Sequence, residues 1–258
     1  MADADALRDA TLPGGPATPE PPPATAPDGS VMSLVDHLGE LRDRLFRVII
    51  AVVAGGAVGF YFAETIRNLL LDLIPDGTAQ TLGPGDGFAI TLRIALITGV
   101  ILAMPVILYQ VWTFVSPGLT PAERKVVRPW VPLALVFFAL GVGIAYVVLP
   151  YALSFLFSFN DERLVENVAA GPFFDFVTTT FLAFGLVMEF PILLVGLSRV
   201  GIITSDRLRQ VRRYVILGIA IFSAIATPGG DLVSPFVLGG TMYLLFEATI
   251  VFIKRTGR

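Results

Sequence analysis

The 258 residues contain no cysteine and a single histidine, His37, and only 15% of them are charged. Without thiols there is no cysteine nucleophile, no disulfide framework and no cysteine-held zinc. One histidine leaves neither a His-rich metal cluster nor a Ser-His-Asp triad. A soluble globular chain carries about 25% charged residues, so this one is short of solvent-facing charge, which excludes a soluble enzyme domain and a nucleic-acid binder. No Gly-x-x-x-x-Gly-Lys phosphate loop occurs, which argues against an intrinsic ATPase. No catalytic residue, metal site or cofactor is expected. What is abundant is apolar surface, at 55% hydrophobic residues, and it reads as a multi-spanning membrane protein.

Residues 1–32 differ from the rest. Asp3, Asp5, Asp9, Glu20 and Asp28 sit among prolines that include Pro21-Pro22-Pro23. Such a stretch buries too little apolar surface to offset its ordering entropy, so it is expected to be a disordered tail. It lacks the basic start and apolar run of a signal peptide. From Ser33 the pattern changes: Ser33 with Asp36 three positions on is a helix-start signature. At about 100° per residue, Leu34, Leu38, Leu41 and Leu45 share one stripe, and Asp36, Glu40, Asp43 and Arg47 the opposite one. A short amphipathic surface helix running into the first span is expected.

Six segments approach the ~20 apolar residues a span requires: roughly 45–63, 89–115, 130–150, 173–198, 214–227 and 235–253. Pro105 interrupts the second and Pro191 the fourth, and a membrane proline usually means a kink. The fifth, Tyr214 to Thr227, falls short of the ~30 Å hydrocarbon core, as either a short helix or a re-entrant loop. Two short last helices joined by a tight turn at Pro228-Gly229-Gly230 are expected. With the N-terminus cytoplasmic and six spans, fifteen Lys and Arg fall on the cytoplasmic side and only Arg67, Arg93 and Arg163 opposite. That bias sets both termini inside. The expected fold is therefore all-α and polytopic: a tail over 1–32, a six-span domain over 33–255 and a short cytoplasmic end over 256–258. Small helices are expected in the outer segments 64–88 and 151–172.

Ionisable groups in apolar spans carry the chemistry. Glu189 lies inside the fourth span, ten residues from Arg199; it is either a neutral acid bonded between helices or a proton-coupling or cavity-lining group. Glu247 reads as snorkelling or helix–helix bonding. Arg93 snorkels outward with no special role. At the cytoplasmic face Glu40 and Glu123 stand among bases, suited to accept guanidinium groups. The bland alternative pairs Glu40 with Arg44, and Glu123 with Arg124 or Arg128. Gly55-Gly56-Ala57-Val58-Gly59 permits close helix packing, and packing within the chain is the simpler reading.

His37-Leu38-Gly39-Glu40-Leu41-Arg42-Asp43-Arg44-Leu45 resembles the HLxELRxRL opening of the TatC family, the core membrane subunits of the twin-arginine protein translocase. The likeness continues through Pro105 to Phe114, Pro117…Leu119…Glu123-Arg124, Phe184-Gly185…Glu189-Phe190-Pro191, Thr204…Leu208-Arg209…Arg212-Arg213-Tyr214 and Thr227-Pro228…Asp231. It implies a receptor that binds Arg-Arg signal peptides of folded cargo at the cytoplasmic face. Glu40, Leu41, Arg42, Phe114, Glu123 and Arg124 match the family's binding positions, Glu189 its transmembrane glutamate, and Thr227 and Asp231 its last outer turn. That turn reads Thr227-Pro228-Gly229-Gly230-Asp231 here, one residue longer than the Thr-Pro-Pro-Asp of many relatives. The resemblance further implies TatA- and TatB-type single-span partners, an oligomeric receptor complex, a prokaryotic inner membrane, and transport driven by the proton-motive force. The alternative left open is a proton-coupled small-solute transporter using Glu189.

Overall fold

The computed structural model describes residues 34–74, 77–159, 168–227 and 232–255. The expected tail, Asp231 with the three residues before it, and residues 256–258 lie outside the described residues. Among the described residues the structure is all helical with no strand, apart from an isolated parallel bridge between Gln80 and Ala169. In that bridge Gln80 N–H donates to the Val168 carbonyl and Ala170 N–H to that of Gln80, both at 2.8 Å.

Among the described residues ten α-helices follow one another: α1 Leu34–Tyr61, α2 Ala63–Leu71, α3 Asp86–Val115, α4 Pro121–Val127, α5 Trp130–Phe157, α6 Ala170–Val187, α7 Phe190–Arg199, α8 Ser205–Gln210, α9 Arg212–Ala226 and α10 Val233–Arg255. Internal contacts divide the chain into Met1–Gly39 and Glu40–Arg258. Of the first unit only the opening of α1 is described, and the packing below belongs to the second.

Among the described residues five helical stretches are long and apolar enough to cross a membrane: His37–Tyr61, Asp86–Gly118, Pro121–Phe157, Ala170–Arg199 and Val233–Arg255. Large apolar side chains such as Ile50, Val53, Val147 and Leu244 point outward along them, as lipid-facing residues do. The amphipathic stripe at the start of α1 continues into the span without a break.

The helices pack on three apolar clusters. Leu70, Ile94, Leu149, Phe173, Phe174 and Val177 join α2, α3, α5 and α6. Ala145, Phe184, Ile219, Leu238 and Met242 join α5, α6, α9 and α10. Leu194, Leu208, Phe246, Ile250 and Ile253 join α7, α8 and α10. Two backbone approaches tighten this packing. Gly55 and Gly59 of α1 lie against Ala95, Thr98 and Gly99 of α3, and Gly141 of α5 lies against Phe184 and Gly185 of α6. The Gly-rich stretch of α1 thus serves packing within the chain.

Pro105 sits inside an unbroken α3, a proline that does not stop its helix. Two expectations change. Pro191 does more than kink: the fourth segment parts into α6 and α7 at Met188 and Glu189. Proline has no N–H and its ring clashes with the carbonyl four residues back, here Val187, where α6 ends. The last helix is also not short. It has 23 residues, ~35 Å at 1.5 Å per residue, because Pro235 falls in its first turn, where a missing N–H costs little. α9 is short as expected, at 15 residues, or ~22 Å.

Candidate functional site

The amphipathic start of α1 places Glu40 and Arg44 one turn apart on one face. Arg44 Nε donates to Glu40 Oε1 at 3.0 Å, and its Nη2 makes a second, shorter contact with the same oxygen. The remaining corner, Nη1, donates to Gln110 Oε1 at 3.3 Å. Only 12% of the Arg44 side chain and 19% of that of Glu40 are exposed, and Gln110 is buried. The group therefore joins α1 to α3 across 66 positions of chain.

The neighbouring candidates follow from these two helices. Phe114 lies one turn beyond Gln110 on α3 and is half-buried. Leu41 is exposed. Arg42 turns away to its neighbour Asp43, at 3.2 Å, with both side chains open to solvent.

After α3 the chain passes through a 3-10 turn, Ser116–Gly118, into α4. Thr120 is extended and caps α4, with Pro121 in its first turn. Glu123 completes a reciprocal capping box: its N–H donates to Thr120 Oγ1 at 3.4 Å, and its Oε2 accepts from Thr120 N–H at 2.9 Å. The carboxylate is thus oriented by the backbone it caps. Arg124 is exposed and, with Pro121, Lys125, Arg128, Pro129 and Pro132, lines an open basic hollow of about 620 Å³.

Glu189 occupies the break between α6 and α7. Its N–H donates to the Leu186 carbonyl and its own carbonyl accepts from Leu193, each at 3.1 Å. Its Oε1 is buried with no hydrogen-bond partner among the described residues. At the end of α9, Thr227 is buried and its hydroxyl donates back to the Ser223 carbonyl at 2.7 Å. No group of three or more metal-ligating side chains occurs among the described residues.

Further polar groups pair between helices. Arg93, expected to snorkel outward with no special role, pairs with Asp175 of α6. Glu247, read as snorkelling or helix–helix bonding, forms an ion pair between α10 and α9, its Oε1 lying 2.6 Å from Arg212 Nε. Arg212 also donates to the Tyr243 hydroxyl at 2.5 Å and lies over that ring. Asp175 and Gln110 were visible only as lone polar residues in apolar runs, and that signal does not name a partner.

Chemically, the two candidate carboxylates at the basic end of the bundle, Glu40 and Glu123, are positioned by different means. One is occupied by an arginine of the same helix, and the other is braced by a helix cap.

The family model described as Sec-independent protein translocase protein (TatC) matches residues 36–240. The chain is 32% identical over 226 residues to the Sec-independent protein translocase protein TatC of Carboxydothermus hydrogenoformans, covering 86% of this chain and 93% of that one. It is 37% identical over 230 residues to TatC of Azotobacter chroococcum, covering 87% and 90%. A crystal structure of the twin arginine translocase receptor TatC superposes with a TM-score of 0.75 at 34% identity, covering 86% of this chain and all of that one.

Proposed function

The chain belongs to the TatC family of Sec-independent protein translocase proteins, and on that premise we propose that it is the receptor and core subunit of a twin-arginine translocation system. It binds the Arg-Arg pair of a folded cargo's signal peptide through Glu40 and Glu123. Leu41, Arg42, Phe114 and Arg124 border that site. The observation that carries the reading is the Glu40–Arg44 pair. Glu40 already holds a guanidinium, with Nε and Nη2 of Arg44 converging on its Oε1, and an incoming arginine offers the same donors. In the resting protein Arg44 stands in for cargo and is displaced by it.

In this reading the chain has six spans in a prokaryotic inner membrane, α9 being the fifth, with both termini cytoplasmic. The alternation of α1, α3, α5, α6–α7, α9 and α10, and the crowding of Arg and Lys at one end of them, support that orientation. The apolar part of the signal peptide lies along the spans near Glu189. Single-span TatA- and TatB-type subunits dock by α9 and α10. A transient passage then opens, driven by the proton-motive force, in an oligomeric receptor complex. The relatives described above are translocase proteins and lend the solute-transporter alternative no support.

The test is binding of Arg-Arg and Lys-Lys signal peptides to the purified full chain and to its Glu40→Ala, Glu123→Ala double variant. Preference for Arg-Arg that collapses in the variant is the expected result. Equal binding of both peptides to both proteins would overturn the reading.

A further inference from the structure

Arg124, Lys125 and Arg128 stand three and four residues apart, so α4 and its C-terminal cap present all three on one face. All are exposed, and none forms an ion pair with another described residue. Like charges at that spacing repel one another. The carbonyls that end α4 offset only about half a charge, and the Glu123 carboxylate is turned to the N-cap backbone at the other end of the helix. The basic corner at the start of α9 differs: Arg212 is paired with Glu247, and Arg213 lies over the Tyr214 ring, 4.8 Å from its centre.

The three cations line the open hollow of about 620 Å³ together with Pro121, Pro129 and Pro132. Proline rings fix φ, so these walls are held before anything binds. Trp130, the first residue of α5, packs edge-to-face on Phe252 of α10 at 5.3 Å, and a tryptophan at a span's end marks the headgroup level of a membrane. Beyond the hollow the same stripe of α5 continues. From Pro132 it runs through Val136, Ala139, Gly143 and Val147, every three or four residues, and these last four line an apolar groove of about 520 Å³. A Cβ at Gly143 would meet nothing within 4 Å. Val136 to Val147 spans ~16 Å at 1.5 Å per residue, about half of the ~30 Å hydrocarbon core.

We propose that hollow and groove together bind one anionic phospholipid, its phosphate among Arg124, Lys125 and Arg128 and an acyl chain along α5. The inference goes beyond the receptor reading and needs only that the α4–α5 corner lies at a membrane surface. A charge cluster alone would accept any anion, and an apolar groove alone any lipid. Their continuity on one stripe selects an amphiphile with a negative head. A free anion in so open a hollow stays solvated, whereas a bilayer presents headgroups at high effective concentration. Each Lys or Arg near that surface strengthens the attraction about fivefold. The bound phosphate also relieves the repulsion within α4.

The test is native mass spectrometry of the full chain in detergent, titrated with dioleoyl phosphatidylglycerol, with dioleoyl phosphatidylcholine and with inorganic phosphate. The wild type should hold phosphatidylglycerol about tenfold more tightly than phosphatidylcholine, and phosphate at the same concentrations should not displace it. Arg124 borders the proposed peptide site and is left in place. Lys125→Gln with Arg128→Gln should lower phosphatidylglycerol affinity about tenfold and leave phosphatidylcholine unchanged. Gly143→Leu fills the groove where the protein has room, and should lower both lipids about threefold. Arg207→Gln with Arg209→Gln removes two exposed charges from α8 and should change neither. Equal affinity of the wild type for the two lipids would overturn the proposal, as would wild-type phosphatidylglycerol affinity in the α4 pair or in Gly143→Leu. An equal loss in the α8 pair would assign the binding to basic surface in general, and displacement by phosphate would assign the hollow to free anions; either result overturns it too.

Discussion

Gly55 of α1 rests on the backbone of Gly99 of α3: a Cβ at Gly55 would lie 2.8 Å from the Gly99 carbonyl oxygen and 3.1 Å from its Cα. Both partners there are main chain and cannot yield without moving a helix. At the adjacent Gly56 the same addition meets only the Ala95 carbonyl at 3.6 Å, an ordinary contact. Gly55→Ala is therefore expected to destabilise the protein by about 1–3 kcal/mol through overpacking. Gly56→Ala should be neutral or slightly stabilising, by up to about 1 kcal/mol of helix propensity. Thermal melts in detergent distinguish the two, and equal shifts would contradict the α1–α3 register.

The pairing of Arg93 with Asp175 links α3 to α6. Both side chains are nearly half exposed, so the coupling between them is modest, on the order of 0.5–1 kcal/mol. A double-mutant cycle should read it. Arg93→Ala and Asp175→Ala each lower the melting point, the double variant costs less than their sum, and the exchanged pair Arg93→Asp with Asp175→Arg recovers part of the loss. Strict additivity would show that the two groups do not interact.

Glu123 has a structural duty as a capping residue beside its proposed recognition role, and two substitutions part them. Thr120→Ala removes the hydroxyl cap and should cost α4 about 1 kcal/mol, seen as faster amide exchange across Pro121–Val127. Glu123→Gln keeps an acceptor at the third helical position, which a capping box tolerates, but removes the charge. Amide exchange in α4 should then stay slow while Arg-Arg peptide affinity falls about tenfold, the scale of one charge-assisted bond. Wild-type affinity in Glu123→Gln would leave Glu123 with capping alone.

The buried Oε1 of Glu189 has no hydrogen-bond partner among the described residues, and such a group burdens a fold more than an apolar one of similar size. Glu189→Leu should hold or raise the melting point while lowering export of a folded reporter in cells. A variant that unfolds would instead show that the carboxylate holds the α6–α7 break together.

Much of the architecture was legible without coordinates. Periodicity and apolar length are local properties, so the start of α1, the long spans and the brevity of α9 could be read directly. The Glu40–Arg44 pair was also legible, because two side chains four residues apart on a helix must meet. Helix ends near proline were less so. Pro105 and Pro191 look alike in sequence, yet α3 stays whole and the fourth segment parts.

The amino-acid order by itself determined that this is an all-helical membrane chain, where its spans begin, and which acidic residues stand among bases at one end. Only the tertiary structure decided the partners: Gln110 for Arg44, Asp175 for Arg93, Tyr243 and Glu247 for Arg212, and a bare carboxylate oxygen at Glu189. Helix formation depends on neighbours three and four residues away. Pairing across helices depends on how whole faces pack, and no local pattern encodes which two distant polar groups that packing will bring within reach.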